Sequence, residues 1–273
     1  MTMLQPVLSA LAVVLLTAGP LVASGPEGGP FVTGVDVQTV LNAALGKDVE
    51  VALPLVSVRG VDYTIMDTGR AIGGVTVGVF ADSELARGAF EGHLAYMSVG
   101  PKLEMSGRVG QKGVAWEQSV LFLRDNAVVF LALRQGNVQD VALVFDEALS
   151  RGGKGVERGS QLSAPRIVGI ECPASVALGQ KVPMTVRVAV PVGAFADHFG
   201  FADRRGIATG YLLPVDLNGQ VEVVREFEYI APRDPTQVGP KTFWVCYATR
   251  ECVVTSRKVT VTVVPGEQGP PAS

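Results

Sequence analysis

Two histidines and three cysteines are all the imidazole and thiol chemistry that this chain of 273 residues holds. A serine or cysteine nucleophile needs a histidine base and an orienting acid, and no G-x-S-x-G elbow occurs in the sequence. His93 lies between Phe90 and Met97 on one helical stripe, and reads as a partly buried packing residue. His198 is flanked by Phe195 and Phe201, with Asp197 and Asp203 as nearby oxygen donors. A metal would need several of these on one side, but successive strand residues point to opposite faces. The segment therefore reads as aromatic core filling that ends in a turn at Asp203–Gly206, with His198 kept as a candidate contact residue. The glycines of 107–113 lack the lysine–serine ending of a phosphate loop. Glu226 and Glu228 alternate with apolar residues and read as a solvated strand face. An acid-based enzyme would have to draw Glu84, Glu104 or Asp140 into one pocket. No catalytic residue, metal ligand or cofactor is assigned.

The cysteines offer covalent structure instead. Cys246 and Cys252 flank Tyr247–Glu251, a hairpin tip that could bring their Cβ atoms within bonding range. Cys172 is the alternative partner for either, and an odd count leaves one thiol over. The spacing matches neither C-x-x-C nor a zinc set. Trp116 and Trp244 are the aromatic candidates for a contact surface. Trp244 alternates with Phe243 and Val245, so it faces away from them, either outward as an adhesive patch or onto a disulfide.

Composition narrows the partners. A net charge of −3 with no run of Lys or Arg gives no footprint for nucleic acid. Apolar residues at 48% supply enough for real cores, and aromatics at 7% leave the packing to Val, Leu, Ile and Ala. Val7–Leu16 is apolar apart from Ser9, and Gly19-Pro20 then breaks it before the small residues Ala23 and Ser24. Residues 1–24 read as a secretory signal, although no Lys or Arg precedes the apolar run. The rival reading is a membrane anchor, for which the run is short. Export would place the thiols where disulfides persist.

These residues must be held by two packed units. Residues 31–151 read as an α+β domain, 152–163 as a Gly- and Ser-rich linker, 164–264 as an all-β domain, and 265–273 as a disordered tail. In the first unit Asp36, Asp82 and Asn137 stand where helix caps are expected. Strand pairs over 63–80 and 119–133 precede the second and third helices, so a β-β-α pattern occurs twice. That pattern predicts an antiparallel sheet with helices on one face. In the second unit Val182, Met184, Val186, Val188 and Val190 alternate with polar residues, and Asn218-Gly219 marks a hairpin. About seven short strands in about 100 residues predict a β-sandwich.

Three stretches of this second unit resemble bacterial immunoglobulin-like domains. They are Pro165–Ile170 with Cys172–Gly179 and the Val182–Val190 strand, then Ala231–Cys246, then Val259–Val264. The likeness covers the C-terminal third and departs from antibody-type domains, because Cys172 precedes the 182–190 strand. It implies an immunoglobulin-like sandwich that works as a spacer or adhesion surface. The resulting expectation is an exported bacterial protein that binds, docks or supports, with a protein or envelope component as partner. The alternatives are an extracytoplasmic enzyme and an assembly protein that lends a sandwich edge strand to its partner.

Overall fold

The computed structural model describes residues 29–97, 102–190, 197–202 and 222–266. The expected signal at 1–24, the Asn218-Gly219 turn and nearly all of the tail lie outside these residues. Among the described residues strands dominate, and three α-helices accompany several antiparallel sheets.

The chain is described from β1 (Phe31–Val35), which leads through Asp36 into α1 (Val37–Leu45). The Asp36 carboxylate accepts from the Thr39 amide, and Gly46 ends the helix in the left-handed conformation. A meander follows: β2 (Glu50–Ser57), β3 (Gly60–Asp67) and β4 (Arg70–Val79). Next come α2 (Ser83–Tyr96), capped by Asp82, and the short β5 (Leu103–Glu104). Then β6 (Lys112–Trp116), β7 (Ser119–Arg124) and β8 (Ala127–Leu133) lead into α3 (Val138–Arg151), capped by Asn137. The strands form one antiparallel sheet in the order β2-β3-β4-β8-β7-β6-β5.

Both expected β-β-α units are present, as β3-β4-α2 and β7-β8-α3, but their helices do not share a face. The His93 ring of α2 lies 4.8 Å from Phe130, and the Phe145 ring of α3 lies 6.4 Å from Phe122. Phe130 pairs with Leu121, and Phe122 with Val129. Neighbours along a strand point oppositely, so α2 covers one face while α3, with α1 against it, covers the other. The one-face arrangement is thus corrected. Its physical reason is the unbroken apolar runs Val120–Leu123 and Ala127–Leu133, which need cover on both sides.

The 152–163 segment is more than a connector. It contains β9 (Val156–Gly159), which pairs antiparallel with β1. Arg158 on β9 donates from Nε to the Gly29 carbonyl at 3.1 Å, from Nη1 to the Leu149 carbonyl at 2.5 Å and from Nη2 to Asp125 Oδ2 at 2.8 Å. Asn126, fully buried, does similar work in the β7–β8 turn. Its amide donates to the Val32 and Phe80 carbonyls and its oxygen accepts from the Val32 amide, each at 2.9 Å.

The second unit has two sheets among the described residues. One runs β10 (Arg166–Glu171), β12 (Lys181–Ala189), β14 (Glu222–Ile230). The other runs β11 (Ser175–Ala177), β16 (Val254–Val264), β15 (Gly239–Thr249), β13 (Asp197–Ala202). Val182, Met184, Val186 and Val188 of the first are buried, as are Val245, Val259, Val261 and Val263 of the second. The buried residues of both units form one contiguous apolar cluster.

Replacing Asn126 by Ala strands three buried backbone groups, each worth about 1–3 kcal/mol when unmet. Thermal unfolding followed by circular dichroism should show a fall of about 5–10 °C. A change of under about 2 °C would mean that β1 is held by other contacts.

Candidate functional site

Where β15 turns into β16, the second unit is knitted into the first. The tip spans Thr249–Val253, and its Glu251 carbonyl accepts from the Val35 amide at 3.0 Å. The Cys252 carbonyl accepts from the Val79 amide at 2.8 Å, and Val253 bridges Val79 in parallel. β4 has room for this bridge because its pairing with β3 ends at Val61–Val77, two residues earlier. Gly34 permits the approach: a Cβ there would stand 2.9 Å from the Glu251 Cβ. Alongside, β13 and β15 lie against β2.

This tip holds Cys252 with φ of 65°, fully buried. Its Sγ lies 3.5 Å from the Tyr63 hydroxyl and 3.8 Å from the Val35 carbonyl. Cys246 sits on β15 opposite Ser256, also fully buried. The three cysteines are free thiols, so the expected Cys246–Cys252 bond, and the Cys172 alternative, are corrected. The tip turns Cys252 toward the first unit instead of back across the hairpin. Burial pushes the Cys252 thiol up to about 12 and the Cys246 thiol higher still; Cys172, partly exposed, is raised less.

Beside the junction the units enclose an open cleft of about 870 Å³. Trp244, Thr255 and Ser256 line it from the second unit, with Ala164 and Pro165 before β10. Val58, Arg59 and Phe80 form the floor, and α2 contributes Glu84, Leu85, Arg87, Gly88 and Glu91. Trp244 is half-buried here, on the strand face that also carries Cys246 and Ala248. It packs on no disulfide and stands at the rim of the joint between the units.

Under α2 the cleft floor becomes polar. Arg59 occupies the β2–β3 turn, where its amide donates to Ser57 Oγ at 3.2 Å. Its guanidinium lies 5.1 Å from the centre of the Tyr96 ring, a cation–π contact. Asp62 accepts a hydrogen bond from the Thr76 hydroxyl. Burial raises its carboxyl above the usual range, and the Thr76 bond and the Arg59 charge oppose that rise. His93 is 2% exposed, and burial, helped by the Arg59 charge, lowers its imidazole to about 3. It is therefore neutral at ordinary pH. His93 Nδ1 and Arg59 Nε are both buried without a hydrogen-bond partner.

The candidate residues do not all gather here. Trp116 lies on β6, towards the far edge of the sheet, half-buried with Nε1 unpartnered. His198 is placed on β13 opposite Ala248. Of the three acids, Glu84 alone reaches the cleft. Glu104 on β5 is exposed and accepts from Ser106, which holds its carboxyl below the usual range, while Asp140 on α3 accepts from Asn137. Among the described residues no group of His, Cys, Asp and Glu could hold a metal. No described helix is long and apolar enough to cross a membrane. Sequence reading missed Arg59 and Asp62, which carry no motif. Their only signal was a charge on either side of Gly60-Val61 at the start of an apolar strand.

No protein-family model matches the chain, and no curated protein matches it. Among solved structures, a Niemann-Pick type C2 protein from the Japanese carpenter ant aligns over 37% of this chain and 93% of its own, with a TM-score of 0.28 and 7% identity. The CARDB domain of a Pyrococcus furiosus protein, in complex with di-metal ions, aligns over 39% and 99%, with a TM-score of 0.29 and 15% identity. CopC from Methylosinus trichosporium OB3b aligns over 39% and 99%, with a TM-score of 0.24 and 16% identity. Likeness at this level carries no argument about this chain's chemistry.

Iodoacetamide added to the native protein without reductant should modify Cys172 alone, faster as pH rises. In denaturant the mass should show three adducts. Two adducts missing after denaturation would mean a disulfide.

The His93 imidazole also fixes a pH dependence. Between 6.5 and about 3 the unfolded chain takes up a proton that folded His93 refuses. Stability therefore falls as pH drops through that window, with a limiting slope of about 1.4 kcal/mol per pH unit. Asp62, raised when folded, acts with the opposite sign above 3.8. Urea midpoints at pH 7 and 4.5 should accordingly diverge less for His93→Phe than for the wild-type chain. Equal divergence would show that His93 is not buried as a neutral ring.

Proposed function

We propose that this chain is an exported, non-enzymatic binding protein that uses the cleft between its two units as its contact surface. One observation carries the reading: the β15–β16 tip is bonded into the first unit through Val79 and Val35. That joint gives the cleft walls a fixed spacing, as a preorganised binding site requires. Its lining mixes apolar Leu85, Phe80, Val58 and Trp244 with charges of both signs. The second unit is read as an immunoglobulin-like module that serves as one wall. Export rests on the leader-like residues 1–24 and is part of the proposal.

An extracytoplasmic enzyme has less behind it, because Glu84, Glu104 and Asp140 lie on separate parts of the fold. Edge-strand assembly would use β14, the outer strand of its sheet among the described residues, whose exposed row includes Val224 and Ile230. Glu222, Glu226 and Glu228 stand in that same row, and charges there oppose sheet-to-sheet pairing.

The test uses the full chain, since the units share a joint. Wild-type, Leu85→Glu and Trp244→Ser proteins, each checked for folding, are immobilised and exposed to envelope extract and to cytosol. A component retained from envelope extract by wild type, and reduced at least tenfold on both variants, is the expected result. Retention that ignores both substitutions would move the contact surface away from the cleft. Recovery of the protein itself in the cytosol with Met1 intact would remove export.

A further inference from the structure

The Arg59 side chain is built into the cleft floor with no carboxylate partner among the described residues. Its turn is pinned by buried Ser57, whose hydroxyl donates to the Gly60 carbonyl at 3.3 Å. Gly78 lies so close that a Cβ there would stand 2.7 Å from the Arg59 carbonyl. Tyr96 supports the guanidinium from one side. Among the described residues no carboxylate forms an ion pair with Arg59, and Nε is buried with no acceptor. Asp62, whose carboxyl feels the Arg59 charge, is occupied by Thr76. A buried cationic donor without an acceptor is costly. Arginine is also the side chain whose fork matches a carboxylate in two-point fashion.

The surroundings narrow the ligand. Asp82, Glu84 and Glu91 line the same cleft, with Arg87 as the second cation. Those acids oppose a polyanion such as a phosphate chain but allow a single charge placed at Arg59. Gly88 and Gly92 leave open space where side chains would stand, one turn apart on α2. An extended backbone can lie close to the helix there, with its apolar side chains on Leu85 and Trp244.

We propose that Arg59 receives the C-terminal carboxylate of an apolar peptide laid along α2. This rests on the cleft being a binding surface, and it adds the chemistry of what binds.

Isothermal titration calorimetry on the full chain tests it with three probes: acetyl-Leu-Val-Leu as the free acid, the same peptide as its C-terminal amide, and hexanoate. The free acid should bind at least tenfold more tightly than the amide, as expected for one charge-assisted contact. Arg59→Gln should erase that preference, bringing the free acid down to the affinity of the amide. Arg59→Lys should keep part of it, and Tyr96→Leu should reduce it severalfold, with folding of each verified by circular dichroism. Equal binding of acid and amide, both lost in Leu85→Glu, would overturn the carboxylate and leave the cleft reading standing. No binding of either peptide, or no effect of Arg59→Gln, would overturn the inference. Hexanoate binding as tightly as the peptide acid would overturn the peptide as the source.

Discussion

Two backbone hydrogen bonds at a hairpin tip, from Val35 to Glu251 and from Val79 to Cys252, set the relation of every other part. Each is worth only about 1 kcal/mol net, so they are not the main adhesive. That role falls to the apolar surface around them, where Cys246, Ala248, Val253 and Val254 are all buried. The hydrogen bonds supply register instead. Directional bonds allow one placement of the tip against β4, whereas apolar contact alone tolerates sliding. The cleft inherits its shape from that placement.

A second constraint is the burial of polar groups under α2. Thr76 and Asp62 on the sheet, His93 on α2 and Arg59 in the β2–β3 turn lie on the side that α2 covers, while the opposite face, under α3 and α1, is apolar around Val75, Val77, Val129 and Leu131. Desolvation keeps His93 neutral and pushes Asp62 toward its neutral form, so Arg59 is left without a carboxylate ion pair among the described residues. A fold selected for stability alone would fill this face with aliphatic side chains. Incompletely paired polar groups with perturbed pKa values cluster at functional sites, which is the ground for the proposed reading of the cleft.

The helices were legible because their signals are local. Asp36, Asp82 and Asn137 cap them, and Gly46 and Gly152 end the first and third in the left-handed conformation. The β7–β8 hairpin and the alternating β12 were equally plain. β2 was not, because Pro54 argues against a strand; the register shift between Ala52 and Leu55 accommodates it. β9 was masked by glycines and charges, and its pairing with β1 depends on residues more than a hundred positions away. The cleft was illegible for a related reason: Trp244, Leu85 and Arg59 meet only after the two units have joined. Of the residues singled out in advance, Trp244 and Glu84 fell at the cleft, and the cysteines proved to be packing groups.

The slot beside Val79 has a consequence for how the molecule is made. Ribosomal synthesis releases β4 long before the tip that completes its edge, and all of α2, α3 and β9 emerge in between. Until that tip arrives, the nascent sheet carries an unsatisfied amide at Val79 beside apolar residues, the kind of edge that recruits foreign strands. Closure of the second unit is therefore also the step that retires an aggregation hazard in the first, and a chain truncated before Glu251 would keep that hazard permanently.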